Sequence, residues 1–276
     1  MYIDAHHHLW NYDASDYDWI DDSMAVLKKD FLLKDLEKTL QQNGFSSSIA
    51  VQARQSMEET LWLLELAQQT ELIKGVVGWI DLRSDNLAEQ LDGLSQHQKL
   101  VGFRHVIQGE TDPAFMQNPE FIRGLQMLAD RGYRYDLLIF AHQLPAAAEM
   151  LAKVPDLQVV IDHIAKPDIK STTDFDSWQQ GMAVLAHNKN CYCKLSGMVT
   201  EADWVDWTAT DLQPYMKTVW DLFGTQRIMF GSDWPVCLVA AEYEQVKQTV
   251  IDFVNAQNLK ALPLVMSDNA KRFYQL

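Results

Sequence analysis

Three shortages in this sequence each close off a class of function. Among its 276 residues there are only three cysteines, Cys191, Cys193 and Cys237. An odd number, in a chain without a secretion signal, gives no disulfide framework. Cys191 and Cys193 share one strand face at a spacing a soft metal could use, but a pair of small buried residues explains it more simply. Positive charge is also scarce, with 23 Lys and Arg against 38 Asp and Glu and a net charge of −15. Such a chain repels a phosphate backbone and gains nothing from counterion release, so no nucleic-acid partner is expected. Long apolar runs are missing too: no window approaches 18 uninterrupted apolar residues, and the sequence opens on a strand instead of a basic stretch and an apolar core. A cytoplasmic protein with no membrane partner is therefore expected. A Gly-rich dinucleotide loop and a Pro-, Gly- or Ser-rich linker are likewise absent, which leaves one domain over residues 1–276 as the simplest organisation.

What is present is a regular alternation. Eight short β-branched or aromatic runs, at 3–6, 48–53, 75–81, 100–106, 135–140, 158–163, 192–196 and 228–231, are separated by stretches with helical spacing of apolar residues. Those stretches fall at 32–43, 58–70, 86–95, 119–130, 145–153, 176–188, 212–223 and 241–255. Eight β/α units in this length predict an α/β fold of the TIM-like (β/α)8 barrel type. A doubly wound open sheet is the competing architecture. The aromatic and acidic segment 10–30 is long for a first βα connection, so it is expected to fold over the barrel mouth as a rim or lid.

The strand ends carry the chemistry. The opening run ends in His6, His7 and His8, and alternation along a strand puts His6 and His8 on one face, with Ile3, Ala5 and His7 on the other. Two imidazoles about 7 Å apart along a strand can chelate one metal ion or pinch one substrate oxygen. In a TIM barrel the active site lies at the C-terminal strand ends, where Gln52, Arg54, Trp79, Asp81, Arg104, His105, His142, Asp162, His163, Lys166, Lys194, Ser196 and Asp233 all fall. Asp233, after the small residues Gly231 and Ser232, is suited to take a proton from water, with a helix N-cap as its structural alternative. His163 is expected beside it, and Lys166 within reach of a ligand hydroxyl or carboxylate. Arg104 and His105 are neighbours on one strand, so only one can enter the barrel; His105 is expected to face inward. Trp10, Trp79 and Trp234 could wall a sugar site or serve as core.

Four motifs, Ile3-Asp4-Ala5-His6-His7-His8-Leu9-Trp10, Gly102-Phe103-Arg104-His105, Asp162-His163-Ile164-Ala165-Lys166-Pro167 and Gly231-Ser232-Asp233-Trp234-Pro235, occur in the order found in the amidohydrolase superfamily. The sequence resembles the sugar-lactonase and pyrone-lactonase branch of that superfamily over nearly its whole length, including a C-terminal helix at Asn269-Ala270-Lys271-Arg272-Phe273-Tyr274. The resemblance implies a hydrolase that opens an aldonolactone, such as L-fuconolactone or L-rhamnonolactone, in carbohydrate catabolism. Asp233 would move the proton, while His163, His6, His8 and Arg104 or His105 would hold the oxyanion and hydroxyls. The lysine that bridges two metals in dinuclear members has no counterpart in Val101-Gly102-Phe103-Arg104-His105, and 136–140 contains no histidine ligand. His6, His8, His163 and Asp233 remain as a site for one Zn²⁺, although the resembling lactonases imply ester cleavage without a required metal. A metal-dependent decarboxylase of the same superfamily and a non-catalytic sugar-acid-binding barrel are the rival readings.

Overall fold

Val, Ile and the aromatics favour the pleated strand, where branched side chains pack against neighbours on both faces, and each run expected on that ground is a strand. The computed structural model describes residues 2–276. Its strands are β1 Tyr2–His7, β2 Phe45–Val51, β3 Ile73–Gly78, β4 Leu100–Val106, β5 Arg134–Leu138, β6 Val159–Ile161, β7 Cys191–Leu195 and β8 Ile228–Phe230. Consecutive strands pair in parallel from β1 to β8. The ring closes where His7 and Trp234 form a parallel bridge, with the Asp233 amide donating to the His6 carbonyl (2.9 Å) and the His8 amide to the Trp234 carbonyl (2.7 Å). This is the expected (β/α)8 barrel.

The intervening helices are α1 Leu33–Asn43, α2 Met57–Gln68, α3 Leu87–Leu94, α4 Pro119–Asp130, α5 Leu144–Ala152, α6 Phe175–Ala186, α7 Ala209–Phe223 and α8 Tyr243–Asn258, followed by α9 Asn269–Tyr274. Their starts follow local chemistry. Ser56 accepts the Glu59 amide (3.2 Å) ahead of α2, and Asn118 accepts the Phe121 amide (3.0 Å) with Pro119 in the first turn of α4. Helix α4 then turns Phe121, Leu125 and Leu128 onto the barrel. No helix among the described residues is long and apolar enough to cross a membrane. All three cysteines are buried and free, and burial pushes the Cys191 thiol up to about 12.

Two details position the site. First, the register of β1 against β2 slips between Asp4 and His7, a bulge that inserts an extra residue. Ile3 and Ala5, expected on the face opposite His6 and His8, therefore also point into the barrel, where they pack with Ile49, Val77, Val160 and Met229. Helix α9 plugs that lower end with Ala270, Phe273 and Tyr274. Second, several strands stop short of the expected boundary because the backbone turns away toward the mouth. At the end of β3, Thr60 Oγ1 receives the Trp79 amide (2.8 Å) and donates to its carbonyl (2.9 Å). At the end of β6 the chain enters a left-handed turn in place of two further strand residues.

Segment 10–30 is fastened at both ends. Trp10 and Phe31 exchange antiparallel backbone bonds of 3.0 and 2.9 Å, and the Trp10 indole donates to the Lys29 carbonyl (2.9 Å). Tyr17 reaches across to Glu59, its hydroxyl donating at 3.2 Å.

Candidate active site

The strand ends bring His6, His8, His163 and Asp233 into one buried cluster. Asp233 Oδ1 lies 3.8 Å from His6 Nε2, 3.4 Å from His8 Nε2 and 3.8 Å from His163 Nε2. His6 and His8 face each other at 3.2 Å between their Nε2 atoms. Each group is locked from behind: His8 Nδ1 donates to the Val51 carbonyl at 2.8 Å, and His163 Nδ1 sits 2.9 Å from Ser196 Oγ. Two glycines make the approach possible. A Cβ on Gly197 would collide with the His163 ring, and one on Gly231 would stand 2.6 Å from His6 Cβ. Burial alone would push the Asp233 carboxyl up, but His163, His8 and Lys166 together bring it below its ordinary value, so it is a carboxylate at neutral pH. Burial lowers His163 to about 4, which keeps it neutral. His7, also fully buried, makes no side-chain hydrogen bond among the described residues, in keeping with a structural place between the two faces.

The backbone under this cluster is unusual. His163, Ile164, Ala165 and Lys166 have φ of 52°, 51°, 61° and 46°, and Asp233 has φ 58°. None is glycine, so each pays a steric penalty of roughly 1–2 kcal/mol against the following carbonyl. The turn is held by the Lys166 amide donating to the His163 carbonyl (2.8 Å) and the Trp178 indole donating to the Ile164 carbonyl (2.7 Å). It delivers His163 inward and Lys166 to the surface side of the same mouth.

Below the cluster lies a layer of buried charge that strand alternation alone did not reveal. Lys194 Nζ is 2.5 Å from Asp136 Oδ2, 3.0 Å from Asp162 Oδ1 and 3.0 Å from His6 Nδ1, and all four residues are fully buried. Tyr274, from the plug helix, donates to Asp136 at 3.0 Å. Burial opposes the ionisation of Asp162, and Lys194, His6 and Arg104 more than reverse it, holding its carboxyl well below the usual range. The pair Arg104 and His105 is the reverse of the expectation. Arg104 enters the barrel, donating to Asp162 Oδ2 (3.1 Å) and Gln52 Oε1 (2.9 Å), with Nη1 3.3 Å from His6 Nε2. His105 faces the helices, its Nε2 2.5 Å from Glu110, its ring stacked on Phe115 at 4.8 Å and its Nδ1 accepting from the Trp79 indole at 3.3 Å. It therefore cannot serve as the catalytic group first expected there. The reason is alternation: with Arg104 held inward by Asp162 Oδ2 and by both the side-chain and main-chain oxygens of Gln52, its neighbour must point out.

A cleft of about 730 Å³ opens beside Lys166, with Phe140, His142, Glu201 and Trp204 among its walls. Lys166 Nζ lies 3.3 Å from Glu201 Oε1 and over the Phe140 ring at 5.6 Å. Of the expected tryptophan walls, Trp10 is fully buried among Tyr17, Trp19 and Phe31 at 5.4–5.8 Å, and Trp234 stands edge-on to Phe31 at 5.3 Å. Both pack against segment 10–31, and the half-buried Trp79 is engaged with His105. Phe140 and Trp204 are the large aromatics that line the cleft beside Lys166. They lie in loops beyond β5 and β7, where no periodicity marks an inward face.

Three imidazoles and a carboxylate are a zinc-type donor set, and a tetrahedral ion with bonds near 2.0–2.2 Å needs its ligand atoms about 3.3 to 3.6 Å apart. His6, His163 and Asp233 offer ligand atoms all within 4.8 Å of one another, which suits one divalent ion, and His8 Nε2 stands 3.2 Å from His6 Nε2 and 3.4 Å from Asp233 Oδ1 on the His6 side of that group. A second acidic group, His6 with Asp136 and Asp162, surrounds the Lys194 ammonium, which already fills the position a cation would take.

The chain is 42% identical over 257 residues to an L-fucono-1,5-lactonase of Burkholderia multivorans, covering 90% of this chain and 86% of that one. It is 34% identical to an L-fucono-1,5-lactonase of Burkholderia ambifaria, over 87% of this chain and 82% of that one. A crystal structure of a Burkholderia multivorans amidohydrolase with bound Zn superposes with a TM-score of 0.96 at 40% identity, covering 100% of this chain and 99% of that one. A sequence profile of the family described as Amidohydrolase matches residues 3–276, so the histidine pair of β1, the left-handed turn after β6 and the carboxylate after β8 stand in a chain that belongs to the amidohydrolase family.

Proposed function

We propose that this protein is a carboxylic-ester hydrolase that opens a sugar lactone, an aldonolactone of the L-fuconolactone or L-rhamnonolactone type. The observation that carries the reading is Asp233: an ionised, buried carboxylate within 3.4–3.8 Å of three imidazoles, in a chain whose relatives are named L-fucono-1,5-lactonases.

Asp233 takes a proton from the attacking water as the water oxygen bonds to the lactone carbonyl carbon. The negative charge that develops on the carbonyl oxygen is met by the Nε2–H of His163, which is free when its Nδ1 accepts from the Ser196 hydroxyl, in a buried, preorganised site. When the ring C–O bond breaks, Asp233 returns its proton to the leaving alkoxide, giving an open-chain hydroxy acid. Lactones are activated esters, so a positioned base and a few fixed donors supply most of what the reaction needs. Arg104 is fully engaged with Gln52 and Asp162 and therefore holds the cluster in place instead of reaching for substrate. Lys166 and the cleft beside it are placed to hold sugar hydroxyls.

One Zn²⁺ held by His6, His8, His163 and Asp233 would supply a Lewis acid for the carbonyl or acidify a bound water. The test is a panel of aldonolactones followed by acid release with a pH indicator, on protein with and without chelator. Turnover of at least one six- or five-membered sugar lactone is expected, and a silent panel with folded, metal-replete protein overturns the reading.

A further inference from the structure

His6 has two ring nitrogens and four buried polar neighbours, and no single tautomer suits all four. Lys194 Nζ (3.0 Å) and Asp162 Oδ1 (3.3 Å) face Nδ1; His8 Nε2 (3.2 Å) and Arg104 Nη1 (3.3 Å) face Nε2. Lys194 and Arg104 can only donate, and ionised Asp162 can only accept. A neutral His8 spends its one N–H on the Val51 carbonyl, so its Nε2 also accepts. With the proton on Nε2, His6 accepts from Lys194 and donates to His8. With the proton on Nδ1, it donates to Asp162 and accepts from Arg104. Each tautomer satisfies two neighbours and opposes two.

Both contacts of the first tautomer, Lys194 to Nδ1 and Nε2 to His8, have hydrogen-bond geometry, whereas of the second tautomer's two contacts only Arg104 to Nε2 does. Lys194 is aligned to donate to His6 Nδ1, while Asp162 Oδ1 is buried without a hydrogen bond. A metal bound through His6 Nε2 requires the second, because the lone pair must be on Nε2, and a ligating histidine then gives its other N–H to a carboxylate. Asp162 Oδ1 is the carboxylate oxygen placed to receive it. We infer that Lys194 and Asp162 are opposed positioning residues that set the tautomer of His6, Lys194 holding the site in its metal-free hydrogen-bonded form and Asp162 supporting uptake of a divalent ion. The exchange moves one proton between two nitrogens of a ring and leaves the number of bound protons unchanged. It does not depend on which substrate the site turns over.

The decisive experiment needs no variant: ¹⁵N-histidine NMR of the metal-free full chain at alkaline pH, where the imidazoles are neutral, before and after one equivalent of Zn²⁺. His6 is expected as the Nε2–H tautomer without zinc and as Nδ1–H with it. An Nδ1–H His6 in the metal-free protein overturns the inference. Zinc affinity by competition with a chromophoric chelator gives an independent sign. Lys194→Met, made together with Asp136→Asn so that no carboxylate is left facing a missing ammonium, is expected to bind Zn²⁺ more tightly, and Asp162→Asn more weakly, each by about 10 to 100-fold. Changes in the same direction for both variants also overturn it, since general loosening of the barrel moves both alike.

Discussion

The floor and the mouth of this barrel are made from the same eight strands and obey opposite rules. At the floor, Ile3, Ile49, Val160 and Met229 meet Phe273 and Tyr274 of the plug helix in apolar contact. A few residues further along the same strands, His6, Arg104, Asp136, Asp162 and Lys194 are buried together. Five of the seven described non-glycine residues with positive φ are at the mouth: His163, Ile164, Ala165, Lys166 and Asp233. Left-handed backbone at five such positions costs on the order of 5–10 kcal/mol, comparable with the whole net stability of a domain. The mouth can hold that strain only because packing elsewhere offsets it. Where the chain departs from its own folding rules, chemistry is what the departure positions.

The sharpest way to break this division is at Asp233. Asp233→Asn should lower the lactonase kcat by about 10²–10⁴-fold with little change in thermal midpoint; a variant that keeps its rate places the base elsewhere. The mirror experiment is at the floor, where Phe273→Ala should cost about 3–5 kcal/mol in urea unfolding while the folded fraction keeps its kcat. If its rate falls with the enzyme still folded, floor and mouth are not separable.

A third test uses pH. Burial raises the Glu59 carboxyl from 4.5 to about 7, and this group accepts the amides of Ala53 (2.9 Å) and Arg54 (3.0 Å) after β2 and the Tyr17 hydroxyl of segment 10–30 (3.2 Å). An acid whose folded pKa lies above its unfolded one binds its proton more tightly when folded. Its contribution is thus full below the unfolded value, is lost as pH rises toward 7, and is flat beyond. The loss is up to about 3 kcal/mol. Denaturation at several pH values should show this slope in the wild type and a flatter one in Glu59→Gln. The smallest effect concerns backbone strain. Ala165 and Ala147 are both fully buried, but only Ala165 has positive φ, so Ala165→Gly should cost about 1–2 kcal/mol less than Ala147→Gly. Equal costs would mean that the turn is unstrained.

The four-group cluster was legible because each member ends an apolar run, and in a barrel of this kind the run ends converge. Arg104 against His105 was not, since alternation says that neighbours diverge but not which one enters; that depends on Gln52 and Asp162, which lie on other strands. Lys194 stood among the polar strand-end residues but without a role, and Asp136 was not singled out, for a related reason. A single charge in a strand has no assignable role until its partners, drawn from β1, β5 and the turn after β6, are seen around it. Trp10 misled in the other direction: an aromatic beside a catalytic strand packs on its own loop.

The seam between β8 and β1 ties the two ends of the chain. The Ser232 amide donates to Asp4 at 2.8 Å across 228 positions of sequence, beside the bonds that set His6 against Asp233. No fragment that lacks either end can hold the cluster, however well its own β/α units fold. Contacts of such long range form late and slowly when folding rate follows contact order. Activity regained on refolding is therefore a direct clock for ring closure, whereas helical signal counts units that can form before the ring is shut.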